Sequence, residues 1–265
     1  MPTISIGEFD LVYNMFSFTF ATMFAAFLFF VLQRGQVAPK YRGALTMSAI
    51  IVAVAGYHYF RIFESWDAAY TLQDGVYVAT GVGFNDAYRY IDWLLTVPLL
   101  VAELVAVLGL ARAKSLSLTF RLAGAAALMV ILGYPGEIAA DTGTRALWGF
   151  LSTLPFLYLL YVLFVELGET MQRQTGETRV LLRNTRLLLF ATWGFYPIVY
   201  LLPILGVEVS ASLVAIQVGY GIADVAAKAG YGLMIFAIAR SKSIDEGYII
   251  GEDEPREAIG APAGD

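Results

Sequence analysis

Apolar runs recur along the chain near residues 9–32, 44–65, 87–110, 118–135, 144–168, 186–203 and 209–240. Each approaches the roughly 20 residues that a helix needs to cross a hydrocarbon layer. Short polar connections separate them, so the pattern predicts an all-α bundle of seven membrane-spanning helices with its termini on opposite sides. One connection differs. Between about Trp66 and Asp86 the run GVYVATGVG sets β-branched residues between glycines, which predicts a short hairpin in the second outer loop. The segment from Ser243 to Asp265, with its EDEPRE run and small residues, predicts a disordered cytoplasmic tail. The domain reading is therefore one heptahelical unit over 1–242 and a tail over 243–265.

Composition agrees with the pattern and excludes a water-soluble domain: 58% of the 265 residues are hydrophobic and 15% charged, with mean hydropathy +0.67. The chain has no cysteine, which removes disulfides and thiolate metal or redox chemistry. The first residues, MPTISIGEFD, lack a basic stretch, so the first apolar run is expected to insert as a span and not as a cleaved leader. The expected surroundings are a lipid bilayer, with no nucleic-acid partner.

The distribution of charge sets orientation. Arg34, Lys40, Arg42, Arg112, Lys114, Arg121, Arg173, Arg179, Arg183, Arg186, Arg240 and Lys242 fall on one side. Glu8, Asp10, Glu64, Asp67, Asp74, Asp86, Glu137, Asp141 and Glu208 fall on the other, against Arg61 and Arg145 alone. The basic side is cytoplasmic. The N-terminus is therefore outside, and odd-numbered helices run inward.

Candidate chemistry lies in the charges inside the spans. Lys228 sits deep in the last run, and Asp224 precedes it at the i, i+4 spacing that puts both on one face. A charge there is costly and by default functional. A buried lysine is also an activated amine able to form a Schiff base with a carbonyl compound, while a structural ion pair between helices is the alternative for this segment alone. The third run, RYIDWLLTVPLLVAELVAVL, carries Arg89, Asp92, Thr96 and Glu103. At about 100° per residue Asp92, Thr96 and Glu103 share a face, with the two acids about 16 Å apart in depth and room between them for the lysine nitrogen. Desolvation is expected to keep Glu103 protonated and a neighbouring cation to keep Asp92 ionised, which poises one to give a proton and the other to take it. Arg89 lies one turn further out. His58, the chain's one histidine, falls in the second run at the depth of Asp92, where a hydrogen bond between them is expected. Trp93 and the sixth run's WGFYP, with Trp193, Tyr196 and Pro197, place large rings that can wall a flat apolar ligand.

With DVAAK, RYIDWLLTVPLL and WGFYP at these places, the chain resembles the microbial rhodopsins over about 1–242. The triplet Asp92, Thr96, Glu103 resembles that of outward proton pumps of the proteorhodopsin and xanthorhodopsin type, and differs from those of sodium and chloride pumps. The resemblance implies all-trans retinal on Lys228, Asp92 as counterion and proton acceptor, Asp224 as second counterion, Glu103 as proton donor and His58 as partner of Asp92. It implies a pocket of Trp93, Leu100, Met129, Ser152, Phe156, Trp193 and Tyr196, with Leu100 where leucine accompanies green absorption. In TRALWGFLSTLPF, Gly149 stands where bacteriorhodopsin has a tryptophan, which implies a fenestration and a site for a carotenoid antenna. A glycine there is otherwise read as close helix packing. Ile216 replaces a glutamate of bacteriorhodopsin's release pair, leaving Glu137 or Glu208 as candidates. The resemblance further implies a multi-pass protein of a prokaryotic plasma membrane, a homo-oligomer (pentamer or trimer), and a light-driven transporter, not an enzyme. The rival readings are a photosensor signalling to a membrane transducer, which needs no Glu103, and a retinal-free secondary transporter, which would stay colourless with retinal.

Overall fold

The computed structural model describes residues 1–85, 87–174 and 176–249. Seven long helices form the bundle: α1 Ile6–Leu32, α2 Arg42–Ala69, α3 Ala87–Leu108, α4 Arg112–Glu137, α5 Thr142–Glu166, α6 Gly176–Leu201 and α7 Val209–Asp245. A short helix, Gly168–Gln172, links α5 to α6. Six of the seven are long and apolar enough to cross a membrane. The less apolar one is α6, which opens with Glu177, Arg179, Arg183 and Arg186 and later carries Thr192, Trp193, Tyr196, Pro197 and Tyr200.

The helices reach beyond the apolar runs because polar end turns stay helical when their backbone groups are capped. Ser5 and Glu8 form a reciprocal capping box at the start of α1, with Glu8 accepting from Ser5 N at 2.8 Å. The Asp141 side chain caps α5 and that of Glu208 caps α7. At the other end, α3 stops at Leu108 and not at the expected 110, since Gly109 takes φ +69, a left-handed conformation that ends helices.

The predicted hairpin is present. Strands β2 Tyr70–Gln73 and β3 Val76–Ala79 pair antiparallel. They turn through Asp74 and Gly75 at φ 49 and φ 82, the double positive φ of a type I′ turn. A third strand, β1 Ile4–Ser5, adds to β3 and makes the sheet order β1-β3-β2. Two residues are too few to show an alternation, so this strand has no sequence signature. Phe9 of α1 stacks on Tyr77 at 3.7 Å between ring centroids, which fixes the sheet over the outer end of α1.

The expected tail begins too early. α7 runs to Asp245, Ser243 Oγ accepts from Ala38 N at 2.8 Å, and the Tyr41 hydroxyl donates to Glu246 at 2.8 Å. These bonds hold 243–248 against the α1–α2 connection, so the boundary at 242 is corrected; residues 250–265, which hold the rest of the expected tail, lie outside those described, as does Asp86.

Large apolar side chains such as Phe18, Phe24, Leu32 and Phe120 face outward, while Asp92, Glu103, Asp224 and Lys228 are each no more than 2% exposed. Apolar surface against lipid costs nothing, so the interior can hold the polar groups.

Candidate functional site

Lys228 lies in a π-helical turn of α7, Val225–Gly230. Such single-turn widenings are frequent at functional sites. Nothing in VAAKAG distinguishes it from ordinary helix. The ammonium Nζ is 2.6 Å from Asp224 Oδ1 and 3.0 Å from Asp92 Oδ2, so α7 and α3 meet at this one atom. The i, i+4 spacing and the shared depth read from the sequence both appear here.

The two aspartates are held very differently. Asp224 accepts from Lys228, from the Tyr59 hydroxyl at 2.6 Å, from the Tyr196 hydroxyl at 2.5 Å and from Trp93 Nε1 at 3.1 Å. Asp92, equally buried, faces Lys228 across the ion pair, and no donor other than that ammonium reaches either of its oxygens. Tyr59 was absent from the sequence-derived site, since a tyrosine in a membrane helix carries no pattern that marks its partner. For Trp93 and Tyr196 the sequence indicated rings, and the structure adds their donors.

His58 lies close enough to Asp92 to act on it electrostatically, but no hydrogen bond joins the two; its Nδ1 sits 2.9 Å from Val54 O, one turn back in α2. Thr96 is fully buried, with its hydroxyl donating to Asp92 O, one helical turn away, at 2.8 Å.

Toward the inner side, Glu103 is fully buried; Ser48 Oγ of α2 donates to its Oε2 at 2.6 Å, while Oε1 has no partner. Ser48 has no sequence signal either, because pairing of α2 with α3 decides which of the bundle's serines reaches the acid. Toward the outer side, Arg89 Nη2 donates to Gln217 Oε1 at 2.8 Å, and the guanidinium lies 5.1 Å from the Tyr220 ring.

A cavity of about 390 Å³ starts at Lys228 and Asp224 and is lined by Trp93, Leu100, Met129, Ser152, Phe156, Trp193 and Tyr196, among others. The seven pocket residues anticipated from the sequence thus share one space. Ser152 is tied in place by donating to Met129 O at 2.8 Å. The cavity continues past Gly149 to Phe150 and Leu201, both exposed on the lipid-facing side. A Cβ at Gly149 would lie 2.7 Å from the Tyr200 ring, so the position leaves no space for a side chain. Tyr200 is itself held by Arg145, donating its hydroxyl to Arg145 O at 2.7 Å and lying 4.6 Å beneath the guanidinium. Arg145 pairs with Glu137 at 3.1 Å.

Glu208 accepts from Ser210 and from Ala211 N, and these bonds hold its carboxyl below the ordinary value of 4.5, first through the Ser210 side chain. Of the two release candidates, Glu208 is thus a helix cap at the surface and Glu137 an ion-pair partner of Arg145.

Seven helices around a buried lysine shared by two aspartates, opening on a long apolar cavity, define a heptahelical membrane protein built to hold an apolar ligand at a reactive amine. The sequence profile described as bacteriorhodopsin-like protein matches residues 10–242, and the chain belongs to that family. It is 29% identical to the green-light absorbing proteorhodopsin of gamma-proteobacterium EBAC31A08 over 92% of this chain and 94% of that protein. It is 30% identical to the blue-light absorbing proteorhodopsin of gamma-proteobacterium Hot 75m4, covering 84% of each. Among solved structures, xanthorhodopsin, described as a light-driven ion pump with dual chromophore, aligns with TM-score 0.90 and 57% identity over 94% of this chain and 100% of that one. A thermophilic rhodopsin aligns with TM-score 0.89 and 55% identity over 93% and 99%.

Proposed function

We propose that the chain carries all-trans retinal on Lys228 and pumps protons outward under light, with a carotenoid as antenna at the Gly149 opening. The cavity fits the first group: it is long, largely apolar, of the volume small-molecule sites have, and it ends on the buried amine. Bound there, retinal supplies light absorption and a change of shape that redirects the N–H at Lys228.

The protein's own groups supply the vector. The unequal holding of the two aspartates carries this reading. A carboxylate that already accepts from four donors gains little from a proton, so Asp224 remains the fixed counterion. Asp92, which has the Lys228 ammonium as its one close donor, gains more, and takes the proton at an oxygen facing Lys228 Nζ. Glu103, fully buried on the inner side, holds a proton in reserve and resupplies the nitrogen. Leu104 and Val101, also fully buried beside it, exclude water from the inner half until that step. The proposed assembly is a homo-oligomer in the bilayer, pentamer or trimer.

The test is illumination of cells or vesicles in unbuffered medium. The medium should acidify for right-side-out cells, and an uncoupler should abolish the signal. Asp92→Asn should remain coloured with retinal yet move no protons; full pumping by that variant would remove Asp92 as acceptor. Glu103→Gln should pump with recovery slowed by about 10²-fold or more, the usual loss of a positioned acid.

A further inference from the structure

Gln217 is fully buried on α7, two helical turns outward of Asp224, or about 10 Å along the axis. Its Oε1 is fixed by Arg89 Nη2 at 2.8 Å, which turns the amide so that Nε2 points elsewhere. That Nε2 is completely buried and has no hydrogen-bond partner. An unmet buried amide donor is destabilising, and buried polar groups of this kind are ordinarily met by ordered water. Further inward, the buried oxygens of Asp92 have no donor but the Lys228 ammonium. Arg89, which holds Gln217, has its Cα one turn outward of Asp92 on α3.

We propose that Gln217 is a positioning residue for proton exit: its carbonyl fixes Arg89 and its amide holds a water that receives the proton leaving Asp92. An amide has no titratable proton near neutrality, so Gln217 does not store the proton; it orders the groups through which the proton passes. The neighbouring Ile216, where a carboxylate would serve as a store, is apolar and contributes nothing to this path. The inference rests on the pump reading above.

Two measurements test it on the full-length, retinal-bearing protein. A high-resolution structure should show an ordered water within hydrogen-bond distance of Gln217 Nε2, and an empty position there overturns the assignment. Proton appearance outside after a flash, followed with a pH-sensitive dye, should be delayed about tenfold in Gln217→Leu, the equivalent of one lost hydrogen bond of about 1.4 kcal/mol. The visible absorption band should stay in place. Gln217→Glu keeps an acceptor for Arg89 and adds a store, so it should release earlier than the natural chain. Unchanged timing in a coloured leucine variant overturns the proposal; should that variant not fold, unchanged timing in the glutamate variant does so. A natural protein that pumps while both variants keep its timing defeats this inference alone, whereas a natural protein that moves no protons under light defeats the pump reading itself.

Discussion

Asp92 and Asp224 are chemically identical side chains set in different surroundings by their neighbours. Tyr59, Tyr196 and Trp93 converge on one and leave the other to the lysine alone. Tyr59→Phe should therefore matter more than its distance from Lys228 suggests: a lost hydrogen bond to a charged group is worth about 1.5–3 kcal/mol. The retinal-bearing variant should bleach at lower temperature, with its absorption shifted to longer wavelength as Asp224 holds the cation less firmly. Ser48→Ala acts at the other end. Ser48 Oγ donates to Glu103, so without it the carboxylate left after proton transfer is poorly held. Recovery after a flash should slow by about tenfold while the early steps keep their rates; unchanged recovery would deny Ser48 a part. The pairing of Lys228 with Asp224 was legible from spacing, as was the depth of Asp92 and Glu103. Tyr59, Ser48 and Gln217 were not, since each matters through a partner on another helix.

Among the elements, the hairpin and the helix caps are local devices whose chemistry stands in the sequence. Asp74 and Gly75 turn the strands with φ 49 and φ 82. A β-branched residue in place of Gly75 pays about 1–2 kcal/mol for the left-handed backbone, so Gly75→Val should lower thermal stability and leave the visible band unchanged. The caps of α5 and α7 give a pH dependence. Hydrogen bonds from Thr144 to Asp141, and from Ser210 and Ala211 to Glu208, lower both carboxyls in the folded chain. A lowered carboxyl contributes stability in full above its ordinary value and loses it as pH falls through the folded one. Thermal stability should therefore decline below about pH 4, and Glu208→Gln should remove part of that decline without delaying proton release. The π turn at Lys228 belongs to the same scale yet has no local signature, because its cause lies in packing.

Over the whole molecule, the cavity that starts at the lysine reaches Phe150 and Leu201 on the lipid-facing side, and Gly149 in its wall lets the Tyr200 ring pack against the backbone. Gly149→Trp would drive a ring into Tyr200, which lies 2.7 Å from where even a Cβ would stand. The variant should still take up retinal and show color; an added carotenoid should no longer transfer energy to it or gain circular dichroism in its own band. Transfer at the natural level would place the antenna elsewhere. The sequence by itself determined the seven spans, their orientation, the hairpin and the lysine between two acids, because span length, charge asymmetry and turn chemistry are local or periodic properties. Only the tertiary structure decided that Asp224 gathers four donors while Asp92 has the lysine alone, that His58 Nδ1 meets Val54 O and that 243–248 docks on the α1–α2 connection. Those outcomes depend on which faces of different helices meet, and inside a membrane bundle a hydrogen bond is placed by its neighbour as much as by its own residue.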